Sequence, residues 1–154
     1  MPRREFLTDS EEATLALGRQ LAADVSAPRL ILLIGNLGSG KTTLAKGLIS
    51  GLGVATPEEV TSPSFTLVHQ YGPTPRVYHV DLYRVEAGRD METLGLEDLF
   101  SQEAVVLVEW GEKLGGALSG PRWELHLDDL GGARRRIILE ETDGSTDSHQ
   151  QNEN

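Results

Sequence analysis

A run of eight residues, Gly35–Thr42 (GNLGSGKT), has the residue types and spacing needed to bind phosphate. It fits the pattern G-x-x-x-x-G-K-[ST], in which a glycine-rich loop turns its backbone N–H groups inward around an anion. Gly38 and Gly40 have no Cβ, so the loop can curl tightly, and the N-terminus of the next helix adds its dipole. Lys41 can reach the β- and γ-phosphates of a nucleotide, and the Thr42 hydroxyl can ligate Mg²⁺.

The flanking sequence argues against a chance glycine-rich turn. Arg29–Ile34 is an apolar run typical of a buried strand, and Thr43–Ile49 has the composition of a helix. Strand, loop and helix therefore occur in the order that a phosphate-binding loop requires. The residues predicted to bind the nucleotide are Gly35, Asn36, Leu37, Gly38, Ser39, Gly40, Lys41, Thr42 and Thr43.

Two acidic residues follow apolar runs further along the chain. Nucleotide hydrolysis needs a carboxylate at the end of a neighbouring strand to hold Mg²⁺, and Glu109 comes directly after the apolar residues 105–108. Asp81 ends a similar run, which His79 interrupts. One acid could bind the metal while the other orients the attacking water, and the sequence does not assign the two roles. The alternatives are that Glu109 only caps a strand and that Asp81 is a structural acid.

Four other features could belong either to the site or to the rest of the molecule. The hydroxyl-rich segment Thr61–Thr66 lies where a segment that contacts the γ-phosphate is often found, or it is a polar turn before a strand. Trp110 could pack near the nucleotide or a partner, although a buried core tryptophan is the expected role. We expect Arg84 to be a surface cation rather than a phosphate ligand, and Arg134–Arg136 to belong to a solvated hairpin.

The sequence also contains the D-x-x-G pattern found in GTPases, at Asp129–Gly132. It falls after the last candidate metal-binding strand, inside an apparent hairpin turn. The N-K-x-D pattern that recognises guanine does not occur in the sequence. We therefore interpret Asp129–Gly132 as a turn and expect ATP rather than GTP.

Composition restricts the class of protein. The chain has 154 residues, of which 38% are hydrophobic, and its net charge is -10. One domain is expected at this length, and the acidic charge disfavours direct binding of DNA or RNA, since phosphate contacts require Lys and Arg. The sequence has no cysteine, no secretory signal pattern at its N-terminus and no apolar run long enough to span a bilayer. We expect a soluble cytoplasmic protein without a membrane partner.

The N-terminal half is predicted to contain a helix, the phosphate-loop unit and a hairpin. A capping box at Thr8–Glu11 predicts the start of the first helix, which should end near Ala27–Pro28. Phe65–Tyr71 and Val77–Leu82 are predicted to be the two strands of the hairpin, because turn residues separate them.

The C-terminal half is predicted to add one helix and three strands. A short helix is expected at Leu94–Phe100 and a central parallel strand at Ala104–Val108, which is wholly apolar. Trp123–Leu127 and Arg136–Leu139 should form a second hairpin. The order of elements predicts an α/β fold with a mixed sheet, parallel at its centre with antiparallel additions. Residues 1–141 would form this domain, and the polar residues 142–154 a disordered tail.

Several short motifs occur together in an order that resembles one family. Besides the phosphate loop they are Ala13–Gly18 (ATLALG), Ser62–Val68 (SPSFTLV), His79–Arg84 (HVDLYR) and Val108–Trp110 (VEW). The loop alone is common to many families, whereas this combination is specific. From about Asp9 to Leu139 the chain resembles the TsaE family, small ATPase subunits of bacterial tRNA threonylcarbamoyladenosine biosynthesis.

The resemblance implies a fold and a set of site residues. The fold would be a P-loop NTPase-like three-layer α/β domain with a mixed sheet. Lys41 and Thr42 would bind phosphate and Mg²⁺ with Glu109 also at the metal, and Asp81 and Trp110 would be needed for activity. The candidate catalytic residues are then Lys41, Asp81, Glu109 and Trp110, the metal ligands are Thr42 and Glu109, and the cofactors are ATP and Mg²⁺.

The resemblance also implies a function and a partner. Members are poor ATPases alone and dock on a two-subunit threonylcarbamoyl transferase of sugar-kinase-like fold, whose repeated turnover the hydrolysis permits. tRNA would be met only indirectly, through that complex, which suits the acidic charge of the chain. The tail from Thr142 matches no family motif, and the run Arg134–Arg136 leaves open which arginine, if any, faces the nucleotide.

Two other functions are open at this point. A small-molecule kinase would need a substrate pocket and usually an Arg-rich lid, for which the segment after Glu109 is short and glycine-rich. A nucleotide-dependent binding module without catalysis would not need Lys41, Thr42, Asp81 and Glu109 together, so their presence argues weakly against it.

Overall fold

A mixed sheet of seven strands organises residues 3–63, 67–84, 96–117 and 121–142, the parts of the chain that the computed structural model describes. The strands are β1 (Arg3–Thr8), β2 (Arg29–Ile34), β3 (Val68–Tyr71), β4 (Val77–Asp81), β5 (Val105–Glu109), β6 (Arg122–Gly131) and β7 (Arg134–Thr142). The α-helices are α1 (Glu11–Ala22), α2 (Lys41–Gly51) and α3 (Leu96–Phe100), with 3₁₀ helices at Pro57–Glu59 and Gly111–Ala117.

The order of the strands in the sheet is β1-β7-β6-β2-β5-β4-β3. At the centre, β2 pairs in parallel with both β5 and β6, and β4 pairs in parallel with β5. The hairpins β3–β4 and β6–β7 and the pair β1–β7 are antiparallel. The predicted mixed sheet, with a parallel centre and antiparallel additions, is confirmed.

Helical segments cover both faces of the sheet, so the domain has three layers. On one face, Leu44 of α2 packs against Leu33 of β2, and both side chains are fully buried. On the other face, Leu99 of α3 and Leu114 pack in a cluster around Leu32. Burial of each leucine that is removed from water contributes about 1.5–3 kcal/mol to folding. Within the described ranges, none of the helices combines the length and apolar character needed to span a bilayer.

Two glycines set the distance between α1 and α2. A Cβ at Gly18 would lie 2.6 Å from the Leu44 carbonyl oxygen, and a Cβ at Gly47 would collide with the Leu15 carbonyl. The two helices therefore meet backbone to backbone, which side chains at these positions would prevent. Because α2 begins at Lys41, this packing also fixes the helix that follows the phosphate loop.

The prediction for the N-terminus was wrong in two respects. Arg3–Thr8 was not assigned to a strand, but it forms β1, an edge strand paired with β7. The capping residue of α1 is Ser10 rather than Thr8, because the Ser10 hydroxyl accepts a hydrogen bond from the Ala13 N–H at 3.0 Å. Thr8 instead shares a side-chain hydrogen bond with Thr14.

The ends of the first helix and of the first hairpin also differ from the prediction. α1 ends at Ala22 rather than near Ala27–Pro28, because the N–H groups of residues 23–25 bond carbonyls three residues earlier. The hairpin is confirmed, but β3 is observed from Val68 onward. Leu67 before it has a φ of 72°, in the left-handed region. The earlier part of that predicted strand, Phe65 and Thr66, lies outside the described residues.

The C-terminal elements are confirmed with shifted boundaries. Ala104–Val108 corresponds to the central parallel strand β5, and the short helix is observed as α3 from Leu96. Both strands of the second hairpin are longer than predicted, and Thr142 is the last residue of β7 rather than the first of a tail. The predicted tail beyond Thr142 lies outside the described residues.

A polar cluster lies on β6 and β7, on the face that turns away from α1 and α2. His126 Nε2 lies 3.2 Å from Glu124 Oε1 and 3.7 Å from Glu140 Oε1. The hydrogen bond to Glu124 raises the pKa of His126 above its ordinary value, although desolvation opposes this, and the same bond lowers the pKa of Glu124. Arg122 Nε also donates to Glu124, at 2.9 Å. The cluster therefore holds charged groups of both signs together.

Stability is expected to decrease as the pH rises above about 6.5, the ordinary pKa of histidine. A raised pKa means that imidazolium at His126 contributes fully below the unfolded-state value and loses its contribution as the pH passes the higher folded-state value. The lowered pKa of Glu124 matters only on acidification, below the ordinary value of 4.5. Because the His126 and Glu140 side chains are 38% and 43% exposed, we expect a loss of less than about 1 kcal/mol.

Urea unfolding at pH values of about 5.5 and 8.5, on either side of the histidine range, measures this loss. His126→Gln keeps a polar side chain of similar length but does not titrate, so the difference between the two pH values should shrink. An equal difference in the variant and the unaltered chain would contradict the role given to His126.

Candidate nucleotide-binding site

The loop between β2 and α2 forms an open cradle of backbone. Gly38 has a φ of 81° and Gly40 a φ of 101°, both in the left-handed region that favours glycine. Gly40 is also the N-cap of α2, so the loop leads directly into the helix N-terminus. A Cβ at Gly35 would lie 2.6 Å from the Ser39 hydroxyl oxygen and 2.7 Å from the Leu127 carbonyl oxygen. The sequence pattern is therefore explained by the backbone shape that an anion site requires.

Lys41 lies inside this loop rather than in solvent. Its Nζ donates hydrogen bonds to the Gly35 carbonyl at 2.6 Å and the Asn36 carbonyl at 2.9 Å. The residue is only 5% exposed, and its ammonium lies 4.0 Å from the centre of the Trp110 ring, a cation–π arrangement. Desolvation lowers the pKa of Lys41, while the charge of Glu109 opposes the shift. A phosphate bound beside Nζ would favour the charged form of the amine.

Glu109 ends β5 and connects α2 with β4 through hydrogen bonds. The Thr42 hydroxyl donates to Glu109 Oε1 at 3.0 Å, with Oε2 at 3.3 Å. On the other side, His79 Nε2 lies 2.7 Å from Glu109 Oε2. The predicted metal-ligand pair, Thr42 and Glu109, is therefore brought together with its oxygen atoms in contact.

Asp81 ends β4 directly beside Glu109, as the sheet register pairs the two residues. Asp81 Oδ2 accepts a hydrogen bond from the Ser62 hydroxyl at 2.8 Å, and Oδ1 accepts one from the Tyr83 N–H at 2.9 Å. Ser62, which belongs to the hydroxyl-rich segment Thr61–Thr66, therefore reaches the site. Residues 64–66 of that segment lie outside the part of the chain that the structure describes. Arg84 is exposed, as the sequence predicted.

Trp110 lines the cavity, where the family resemblance placed it, and not the core position that its residue type alone suggested. It has a φ of 64° and leaves the end of β5 in the left-handed region, which carries its ring over Lys41. The Tyr83 ring lies 5.2 Å from the Trp110 ring. The core tryptophan is Trp123, which is 1% exposed. The backbone conformation at the end of β5, which the residue type does not reveal, determines that Trp110 lies in the cavity wall rather than in the core.

The β6–β7 hairpin reaches the phosphate loop through one arginine. Arg135 Nη2 donates to the Gly38 carbonyl at 3.0 Å, while Nη1 donates to the Gly132 carbonyl at 2.8 Å and to Asp129 Oδ1 at 3.1 Å. Arg136 instead pairs with Asp128 at 3.1 Å. Asp129–Gly132 lies at the tip of the β6–β7 hairpin: Asp129–Gly131 end β6 and Gly132 begins the turn. A turn was predicted there, but the contribution of this tip to the site was not. The sequence signal for this contact is an acid near the turn, Asp129, followed six residues later by Arg135.

These groups enclose a cavity of about 780 Å³, within the usual size range of small-molecule sites. Its walls come from four places: the phosphate loop and α2, the acids and aromatic rings that end β4 and β5, the start of α1, and the β6–β7 turn. The predicted residues that line it are Leu37, Gly38, Gly40, Lys41, Thr42, Thr43, Asp81, Glu109 and Trp110. Ser10–Glu12 at the start of α1 also line the cavity. The sequence did not predict this, because their position beside the phosphate loop depends on the packing of α1 against α2.

The oxygen donors in this cavity suit a hard divalent cation. The Thr42 hydroxyl and both oxygens of the Glu109 carboxylate lie within 3.3 Å of each other, and Asp81 is the neighbouring acid. Mg²⁺ prefers such ligands and is usually held by one or two carboxylates together with substrate phosphates. The donor set therefore fits Mg²⁺ bound beside a nucleotide.

Comparison with known proteins assigns the chain to a family. The sequence model of "Threonylcarbamoyl adenosine biosynthesis protein TsaE" matches residues 8–137. The chain belongs to the TsaE family. A TsaE protein of Streptomyces coelicolor is 44% identical over 116 residues, which cover 73% of this chain and 76% of that protein. A TsaE protein of Bacillus subtilis is 35% identical over 141 residues, covering 90% and 86%.

A solved structure supports the fold of this TsaE member. The crystal structure of Bacillus subtilis YdiB matches with a TM-score of 0.73 and 29% sequence identity, covering 97% of this chain and 90% of that chain. The family resemblance and the P-loop NTPase-like α/β fold expected from the sequence are confirmed.

Arg135→Ala is expected to destabilise the protein by about 1–3 kcal/mol, because charge-assisted hydrogen bonds to the Gly38 and Gly132 carbonyls are lost. Arg136→Ala is the matched control: it removes the same charge from the next residue, whose ion pair is half exposed and contributes less than about 1 kcal/mol. Urea unfolding measures both losses. Hydrogen exchange at the amides of residues 38–40 should accelerate only in the Arg135 variant, and equal effects of the two substitutions would contradict the contact.

Proposed function

We propose that this chain is a Mg²⁺-dependent ATPase that supports tRNA N6-threonylcarbamoyladenosine modification by driving turnover of the threonylcarbamoyl-transfer complex. It would be weak alone and stimulated by that partner. The observation that carries the proposal is the convergence of Lys41, Thr42, Asp81 and Glu109 on one cavity beside a phosphate loop. Each of the four has the chemistry that nucleotide hydrolysis requires at its position.

In the proposed mechanism, the backbone cradle and Lys41 bind the β- and γ-phosphates of ATP. Lys41 exchanges its bonds to the Gly35 and Asn36 carbonyls for phosphate oxygens, without leaving the loop. Thr42 and Glu109 would hold Mg²⁺, which when bound would supply positive charge to the phosphate oxygens. The buried surroundings of Lys41 strengthen its attraction for phosphate, since little water competes.

Asp81 is the proposed water-orienting acid. Glu109 already binds Thr42, which is the expected metal ligand of the phosphate loop, so Glu109 suits the metal role better. Asp81 lies in register beside Glu109, and Ser62 and the Tyr83 N–H each hold one of its oxygens. A carboxylate fixed in this way can accept a hydrogen bond from water and direct a lone pair at the γ-phosphate.

The nature of the nucleotide and of the partner rests on other observations. ATP is favoured over GTP because the D-x-x-G pattern lies at the tip of the β6–β7 hairpin and N-K-x-D is absent from the sequence. The proteins of Streptomyces coelicolor and Bacillus subtilis are named tRNA threonylcarbamoyladenosine biosynthesis proteins. We extend that role to this chain, with a two-subunit transferase of sugar-kinase-like fold as partner. The net charge of -10 supports indirect contact with tRNA.

Partner stimulation is supported by the surface around the cavity. Leu37, at the tip of the phosphate loop, is 72% exposed, and Tyr83 beside Trp110 is 45% exposed. A partner that covered these apolar groups would exclude water from the cavity and hold the catalytic groups in place.

The first test is ATP hydrolysis by the chain alone and with the purified transfer pair of the same organism. Hydrolysis should require Mg²⁺ and increase at least about tenfold with the pair, because partner docking completes the geometry. Glu109→Ala should lose most of the stimulated rate. Slow hydrolysis that the pair does not change would overturn the assigned pathway, and phosphate transfer to a small molecule would favour the kinase alternative.

Lys41→Ala should abolish nucleotide binding, since it removes the cation from the middle of the cradle. Lys46→Ala is the control, because it removes one positive charge from the same helix at a position that does not line the cavity. Calorimetric titration with ADP measures both. Binding that survives in the Lys41 variant would be inconsistent with the phosphate-loop assignment.

A further inference from the structure

A buried histidine lies directly behind the proposed metal-binding acid. His79 is 0% exposed and occupies the middle of β4, between the apolar residues Tyr78 and Val80. Its Nε2 lies 2.7 Å from Glu109 Oε2, the shortest of the hydrogen bonds to that carboxylate. A polar ring at the centre of a buried strand is costly to fold unless its hydrogen bonds are made. The sequence showed this residue only as an interruption of an apolar run.

The register of β4 and β5 explains why this contact forms. His79 is paired with Leu107, so Glu109 lies two residues further along the neighbouring strand on the same face of the sheet. The imidazole therefore reaches the carboxylate from the interior of the sheet, while Thr42 reaches it from α2. Fully buried behind Glu109, His79 cannot touch a ligand in the cavity.

The surroundings of the ring decide which nitrogen carries the proton. Among the described residues, His79 Nδ1 has no hydrogen-bond partner. A proton on Nδ1 would bury an unpaired donor and would also turn the Nε2 lone pair toward the lone pairs of the Glu109 carboxylate. With the proton on Nε2, the ring donates to Glu109 and leaves only an unpaired acceptor. The arrangement therefore favours a proton on Nε2, which donates to Glu109.

We infer that His79 is a positioning residue for Glu109: its Nε2–H···Oε2 hydrogen bond fixes the carboxylate beside the Thr42 hydroxyl at the wall of the cavity. The inference rests on the proposed function, in which Glu109 holds Mg²⁺. Without the bond, Glu109 would be free to rotate about its side-chain torsions, and ordering it would become part of the cost of metal binding. Partners that hold a ligating carboxylate typically affect metal affinity or activity by about 10–100-fold when they are removed.

A matched pair of variants tests the inference. His79→Gln keeps an N–H donor near the position of Nε2, whereas His79→Met has a similar length, is compatible with an apolar core and has no donor. ADP binding is measured by calorimetry, once in EDTA and once at a series of Mg²⁺ concentrations. In the Met variant the affinity in EDTA should be unchanged, and the Mg²⁺ concentration needed for tight binding should rise by about 10–100-fold. The Gln variant should recover most of this loss.

Two results in that experiment would overturn the inference. One is an unchanged Mg²⁺ dependence in the Met variant, which would mean that His79 only fills space. The other is an equal loss of ADP affinity with and without Mg²⁺, which a general disturbance of the fold would produce. Thermal unfolding of each variant, followed by circular dichroism, shows whether the fold is kept.

A second measurement does not depend on any variant. Long-range nitrogen–proton NMR correlation on the nucleotide-free chain distinguishes the two neutral tautomers of histidine. We expect a proton on His79 Nε2, and an Nε2 without a proton would overturn the inference even if the Met variant failed to fold. If the unaltered chain shows no Mg²⁺-dependent ADP binding, the proposed function fails, and so does the positioning role of His79 that rests on it. If the unaltered chain and the Met variant need the same Mg²⁺ concentration for tight ADP binding, the inference about His79 fails while the proposed function stands.

Discussion

The carboxylate of Glu109 is the point on which the rest of the site depends. It lies at the end of β5, accepts a hydrogen bond from Thr42 of α2 and is held by His79 of β4. Because β2, β4 and β5 are parallel, their C-terminal ends share one edge of the sheet. The loop after β2 and the acids that end the other two strands therefore meet in space. A register slip of one residue would turn Asp81 or Glu109 to the opposite face and separate the groups.

The same arrangement concentrates buried charge in a small volume. Lys41, Asp81 and Glu109 are each 5% exposed or less, and His79 is fully buried. Unpaired, such groups would cost several kcal/mol each to remove from water. Backbone carbonyls and the Trp110 ring stabilise the ammonium, while side-chain and backbone donors hold the two carboxylates. Desolvation nevertheless lowers the pKa of Lys41, while the charge of Glu109 opposes the shift. A phosphate bound beside the amine would favour its charged form.

The sequence predicted those parts of the site that depend on local pattern. The phosphate loop was identifiable because its glycines, Lys41 and Thr42 are consecutive, and the two acids because each ends an apolar run. Long-range contacts were not accessible in the same way. Arg135 lies 97 residues from Gly38, and its contact depends on the register of β6 and β7 and on the strand order. The position of Trp110 depends on a positive φ at the tryptophan itself, which the residue type does not predict.

The error at the N-terminus shows how much of the cavity comes from the edge of the sheet. β1 was missed, yet it pairs with β7 in a register that sets Thr8 opposite Arg135, the residue that reaches the phosphate loop. The Thr8 side chain then bonds Thr14 in the first turns of α1, so the strand and the helix that follows it are joined at this corner. As a result, the start of α1 lines the cavity opposite the β6–β7 turn. The loop motif supplies the backbone cradle and Lys41, whereas the start of α1 and the β6–β7 turn close the walls around them. The edge strand β1 therefore helps to shape the cavity, although the sequence pattern had located the site only at the loop after β2 and at the acids that end β4 and β5.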